Sequence, residues 1–168
     1  MTVRPLRSTP DTRKQLAELL VHTVVGGGSV GFMHPLTSEA AATFWDGALA
    51  AAERDERIIL GGWDGPQLLG TVTLILNMPP NQPHRAEIAK MMTHPGWRGV
   101  GVATALLRAA EALAVQRGRT LLVLDTASDG GAAGLYERAG YTFAGEVPDY
   151  ALKPHGGLTG TRLYWKRI

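Results

Sequence analysis

Hydrophobic positions change period along this chain, and the changes divide it into elements. Residues 2–6 (TVRPL) alternate weakly, as a short strand does. Thr9-Pro10-Asp11 has the make-up of a helix start: a capping hydroxyl, proline at the first helical position and an acid in the first turn. Leu16, Leu19, Leu20 and Val24 then recur at helical spacing, and Thr37 or Ser38 caps a second helix that runs to about Arg54. From residue 57 the pattern becomes that of strands. "RIILGGWD" (57–64) and "QLLGTVTLIL" (67–76) are β-rich runs joined across Asp64-Gly65-Pro66, a tight hairpin. A proline-rich loop (77–84) leads to the strand "RAEIAKMMT" (85–93). A helix then runs to about Arg117, closed by Gly118. "TLLVLDT" (120–126) is a buried strand and residues 130–140 a short helix ending at Gly140. "YTFAGEV" (141–147) and "TRLYWKR" (161–167) are the last strands, with "YALKPHGGL" (150–158) a loop between them.

The strands 85–93 and 120–126 flank a helix, so they form a βαβ crossover and lie parallel. The earlier hairpin-linked strands are antiparallel. The expectation is one α/β domain over residues 1–168, with a mixed, mostly antiparallel sheet and helices on both faces.

Composition narrows the function. Hydrophobic residues at 45% and charged ones at 19% are ordinary for a folded domain, which argues against disorder. No apolar run approaches the roughly 20 residues of a membrane helix, and residues 1–15 lack the apolar core of a signal peptide. The absence of cysteine rules out disulfides and thiolate metal sites. A cytoplasmic protein without a membrane partner is expected. The net charge of +2 is spread along the chain without a basic cluster interleaved with aromatics, which suits a small anionic ligand better than nucleic acid.

Two stretches are rich in glycine. "GGGSVG" (26–31) has the G-x-G-x-x-G spacing, but it follows a helix rather than a strand, so it reads as a loop and a possible substrate wall instead of a dinucleotide fingerprint. "RGVGVAT" (98–104) follows a strand and opens a helix, whose free amides and dipole attract anions. Its glycines let backbone amides approach phosphate oxygens. No Lys-Ser/Thr pair follows, so the loop reads as a diphosphate clamp without hydrolysis.

Arg98-Gly99-Val100-Gly101-Val102-Ala103 matches R/Q-x-x-G-x-G/A, and Ala132, Leu135, Tyr136, Gly140 and Tyr141 match A-x-x-L-Y-x-x-x-G-F/Y. On these motifs the chain resembles the GCN5-related N-acetyltransferase family. "HRAEIAKMM", "LLVLDT", "GEVPDY" and "TRLYWK" are similar to tabtoxin-resistance-type acetyltransferases within it. The resemblance implies acetyl-CoA as co-substrate, its pyrophosphate on the amides of residues 98–103 with Thr104 close by. It also implies a pantetheine arm pairing with strand 85–93 near Met91, Met92 and Thr93. Tyr136 is then the tyrosine beside the CoA sulfur and the candidate acid. Where the family often has an asparagine before the short helix, this chain has Asp129, a poor neighbour for an anionic cofactor.

Such chemistry needs a free amine, and an alkyl amine near pKa 10 is mostly protonated at neutral pH. A base must take its proton, and a strand amide near Met92 can stabilise the oxyanion. Two carboxylates are candidates for the base. Glu87 sits in an otherwise apolar strand, where its charge needs a role or a partner such as Arg85 or His84. At about 13 Å along the strand from Met91, it would act through water. Asp125 ends a strand whose carboxyl end is a favoured ligand site, and it can equally cap the following turn. Lys90 interrupts the alternation of "EIAKMMT"; a β-bulge or an irregular edge strand accounts for it. The five histidines lack metal-ligand spacing, and Trp45, Trp63 and Trp97 read as packing or loop anchors.

The expected reaction is transfer of acetyl to a primary amine of a small molecule, amino-acid-like or antimicrobial. A protein N-terminus or lysine is the competing acceptor, and a non-catalytic acyl-CoA sensor the competing class. A homodimer is a further expectation from the family. The acceptor should be set by residues 9–54, the 77–84 loop and the 150–158 loop.

Overall fold

Strands apolar on both faces need a helical layer on each, and the computed structural model, which describes residues 1–168, supplies them. The chain runs β1 (Thr2–Pro5), α1 (Pro10–Val25), α2 (Ser38–Glu53), β2 (Arg57–Asp64), β3 (Gln67–Ile75), β4 (Arg85–Thr93), α3 (Val102–Gln116), β5 (Leu121–Ala127), α4 (Ala133–Arg138), β6 (Thr142–Leu152) and β7 (Leu158–Arg167). One seven-stranded sheet has the order β1-β2-β3-β4-β5-β7-β6. Only β4 and β5 pair in parallel, as the crossover through α3 requires.

The side hydroxyls of Thr9 and Thr37 accept from Thr12 N and Ala40 N, and so cap α1 and α2. Those two helices bury Leu16, Leu20, Trp45 and Leu49 against Ile59, Trp63 and Leu68 on one face of the sheet. On the other face α3 buries Leu106, Leu107 and Ala110 against Leu60, Val72, Leu74, Ile88 and Leu122, with Tyr136, Tyr141 and Tyr164 at the far end. Truncating any of these fully buried leucines to alanine costs about 2–5 kcal/mol.

Two departures from regular pairing shape the middle of the sheet. Thr73 pairs with Ala89 and Thr71 with Met92, so β4 carries one residue more than β3 over that span. The extra residue is Lys90, whose φ of 51° lies in the left-handed region. The irregularity in "EIAKMMT" is therefore a bulge. Just past it Gly70, paired with Thr93, has no room for a side chain: a Cβ there would lie 2.6 Å from the Met92 carbonyl oxygen. The second departure is a splay. The β4–β5 ladder covers Arg85–Leu121, Ala86–Leu122 and Glu87–Val123 and goes no further. Beyond it β4 stays on β3 and β5 stays on β7, so the two parallel strands part.

The expected loop at 150–158 is corrected. β6 continues to Leu152 and β7 begins at Leu158, leaving a turn of residues 153–157. Pro148 offers no N–H, Asp149 has φ 51°, and the register slips between Val147 and Ala151. That interruption removes the alternation by which a strand is recognised.

Candidate active site

The splay opens a cleft of about 830 Å³ through the middle of the sheet. One wall is β4 from Ile88 to Thr93, with Arg98 beyond it; the facing wall is Asp125, Thr126 and Ala127 of β5 with Tyr136 of α4. Residues 26–33, between α1 and α2, and residues 150–153 at the end of β6 close the remaining sides. These two segments hold each other: His34 N donates to the Pro154 carbonyl at 2.9 Å, His155 Nε2 lies 2.9 Å from the Val25 carbonyl, and the two histidine rings meet at 4.5 Å. The "GGGSVG" stretch is thus a wall of the cleft. The 77–84 loop, expected to shape the acceptor side, does not line it; Pro83 and Gln82 instead bond Arg119 and Arg85.

Beside the cleft lies the glycine-rich loop. Gly99 and Gly101 have φ of 77° and 90°, conformations open to glycine without strain. Gly101 starts α3 without a side-chain cap. Arg98 N bonds the Pro95 carbonyl, and the next protein-bonded amide is that of Ala105, to the Gly101 carbonyl. The amides of Gly99, Val100, Gly101, Val102, Ala103 and Thr104 thus donate to no protein group, at the positive end of a helix and directly after Arg98 in the chain. An anion with several oxygens satisfies such an array, so the residues present fit the diphosphate of acetyl-CoA. The unpaired edges of β4 and β5 beyond Glu87 likewise fit an extended arm with amide groups.

Of the two carboxylates, only Asp125 lines the cleft, where its Oδ2 accepts from the Thr161 hydroxyl at 2.9 Å. Glu87 pairs with Val123, so it shares a sheet face with Asp125, two residues further along β5. It lies outside the cleft lining, held by Arg85 Nη1 at 2.5 Å with its side chain 40% exposed. Tyr136 is 5% exposed. Burial, helped by the negative charge of Asp125, pushes its hydroxyl up to about 12, which keeps it a proton donor. Met91, Met92 and Thr93 line the cleft, with Met92 packed into the α1–α2 core. Asp129 accepts from Thr159 at 2.8 Å and Lys153 at 3.2 Å, which hold its carboxyl below the usual range; it fastens the hairpin to the α4 loop.

Lys90 was not among the residues singled out for chemistry, yet it enters the cleft from the bulge. Its Nζ donates to the Val30 carbonyl at 2.8 Å and stands 5.7 Å from the Phe44 ring. Its signal was the break in alternation, a charge between apolar neighbours. Thr161 gave no signal, because its partner Asp125 is distant in sequence.

A family model described as the acetyltransferase (GNAT) family matches residues 29–141. Among solved structures, a ribosomal-protein-alanine N-acetyltransferase from Brucella melitensis is 16% identical, with TM-score 0.85 over 100% of both chains. An acetyltransferase from Salmonella typhimurium solved with acetyl-CoA is 15% identical, with TM-score 0.79 over 99% of this chain and 92% of that one. An aminoglycoside 6'-acetyltransferase is 20% identical, with TM-score 0.75 over 99% and 97%. The acceptors in these names differ while the fold is shared.

Proposed function

Because this chain belongs to the GNAT acetyltransferase family and so is an acyltransferase that draws on acetyl-CoA, we propose that its acceptor is a primary amine on a small molecule, amino-acid-like or antimicrobial. The observation that carries the reading is the cleft itself: a carboxylate, Asp125, and a protonated tyrosine, Tyr136, stand on one wall of the gap where β4 and β5 part, facing the free edge of β4. The cleft is narrowed by residues 26–33 and by the hairpin, which suits a small acceptor better than a folded protein surface. An acyl-CoA sensor without turnover would need neither group there.

Acetyl-CoA supplies an acetyl group activated as a thioester. The free amides of residues 99–104 and Arg98 bind its diphosphate, and the open edge of β4 near Met91, Met92 and Thr93 aligns its arm. Asp125 accepts the proton that the amine must shed, directly or through water, and Thr161 fixes the orientation of its carboxylate. The Met92 amide is the proposed donor to the oxygen on which negative charge develops. Tyr136 holds a proton for the departing sulfur. Glu87, engaged by Arg85 and outside the cleft lining, would act on this site only through water. The test is release of CoA thiol from acetyl-CoA against a library of small amines and of peptides. Turnover confined to peptides sinks the small-molecule reading.

A further inference from the structure

We propose that Lys90 and Asp125 are the two poles of an acceptor site built for a zwitterion: the amine acetylated here carries a carboxylate beside it, and Lys90 reads that carboxylate. The inference rests on the small-molecule acceptor proposed above. Both side chains line the same cleft, yet they form no ion pair with one another. Each is held on its own wall by a neutral partner, Lys90 by the Val30 carbonyl and Asp125 by the Thr161 hydroxyl. An ammonium has three donors and only one is used by Val30, so two are left without a protein partner; the Asp125 carboxylate also keeps lone pairs free. Opposite charges that share a cleft without touching complement a molecule with the reverse charges in the same order.

The backbone of Lys90 strengthens this. A left-handed conformation suits glycine or asparagine far better than lysine. The bulge alone would favour one of those, so the long cationic side chain there calls for a role of its own. Burial lowers the Lys90 pKa, opposed by the negative charge of Asp125 and reinforced by the positive charge of Arg57. The cation is therefore held at an energetic cost that an arriving carboxylate offsets.

The test pairs each of a panel of L-amino acids with the amine that lacks its carboxylate, such as leucine with isoamylamine and phenylalanine with phenethylamine. Thiol release with acetyl-CoA gives kcat/KM for each. In the unaltered protein at least one amino acid should exceed its amine by about tenfold or more. Lys90→Met should reduce that ratio to about one, through the KM of the amino acid, and Lys90→Arg should keep most of it. Calorimetry of the preferred amino acid with the CoA-loaded protein should show about tenfold weaker binding to Lys90→Met. Acetyl-CoA affinity checks that each variant is folded. Amines turned over without a preference for the carboxylate, or a preference that survives Lys90→Met, overturns the zwitterion site and leaves the small-molecule acceptor standing. No turnover in either series removes the small-molecule acceptor, and the zwitterion site falls with it.

Discussion

The site is finished in backbone in one part and in side chains in another. Along residues 99–104 it offers amides that no protein group uses, at the start of one helix. Elsewhere it is built from the side chains of Asp125, Lys90 and Tyr136 and from the two segments joined by His34 and His155, which come from distant parts of the chain. A backbone site depends on conformation, and so its sequence must carry glycine at particular places. A side-chain site depends on which elements meet, and any one of its residues looks ordinary alone. The first kind suits a ligand common to many enzymes, the second a ligand peculiar to one.

The sharpest way to break this contrast is on the backbone side. Arg98→Ala combined with Gly101→Val removes a charge and forces a β-branched residue to a φ of 90°. Acetyl-CoA affinity should fall by about 100-fold or more, read by calorimetry; unchanged affinity would mean that the free amides are not the diphosphate site. On the side-chain side, Asp125→Asn should lower kcat/KM by about 100-fold to 1,000-fold with the acetyl-CoA Kd within about twofold of the parent. A loss of affinity instead would put Asp125 on the cofactor side.

Tyr136→Phe should lower kcat by about tenfold. The sign of the pH effect follows from the raised pKa: the hydroxyl is protonated below about 12, so it is already in its donor form throughout the working range. The ratio of parent to variant rates should therefore stay constant between about pH 7 and 10. A ratio that collapses near pH 10 would show an unshifted tyrosine. The smallest effect belongs to Glu87→Gln, about threefold or less in kcat/KM, because Arg85 already occupies that carboxylate. If this variant loses more than Asp125→Asn, the base is Glu87.

The same division explains what was legible in the sequence. The crossover, the capped helices and the clamp loop announce themselves by local signals: Thr9 before Pro10, Gly101 before an apolar helix, and the change from strand to helical spacing after residue 93. Asp125 is a candidate from its place at the carboxyl end of a strand and Tyr136 from the family motif it matches, and both line the cleft. Glu87 was equally suspect in sequence, since a charge in an apolar strand does not declare whether an ion partner or a substrate satisfies it. Arg85, two residues away on the same face, satisfies it here. The latch between His34 and Pro154, and the support of Asp125 by Thr161, were hidden because they join residues far apart in the chain. The length of β6 was hidden by Pro148 and Asp149, whose turn-like character masks a strand that simply bulges.

The bulge at Lys90 has a further consequence for how the strand is encoded. Without that residue, "RAEIAMMT" would alternate without a break: Ala86, Ile88 and Met91 toward the α3 layer, Glu87, Ala89 and Met92 toward α1 and α2. The instructions for the sheet are thus complete in its neighbours, and Lys90 is an added letter that the sheet tolerates. A chain from which it is deleted should still spell the same fold while losing the kink and the cation together, so that architecture and selectivity can be edited separately at a single codon.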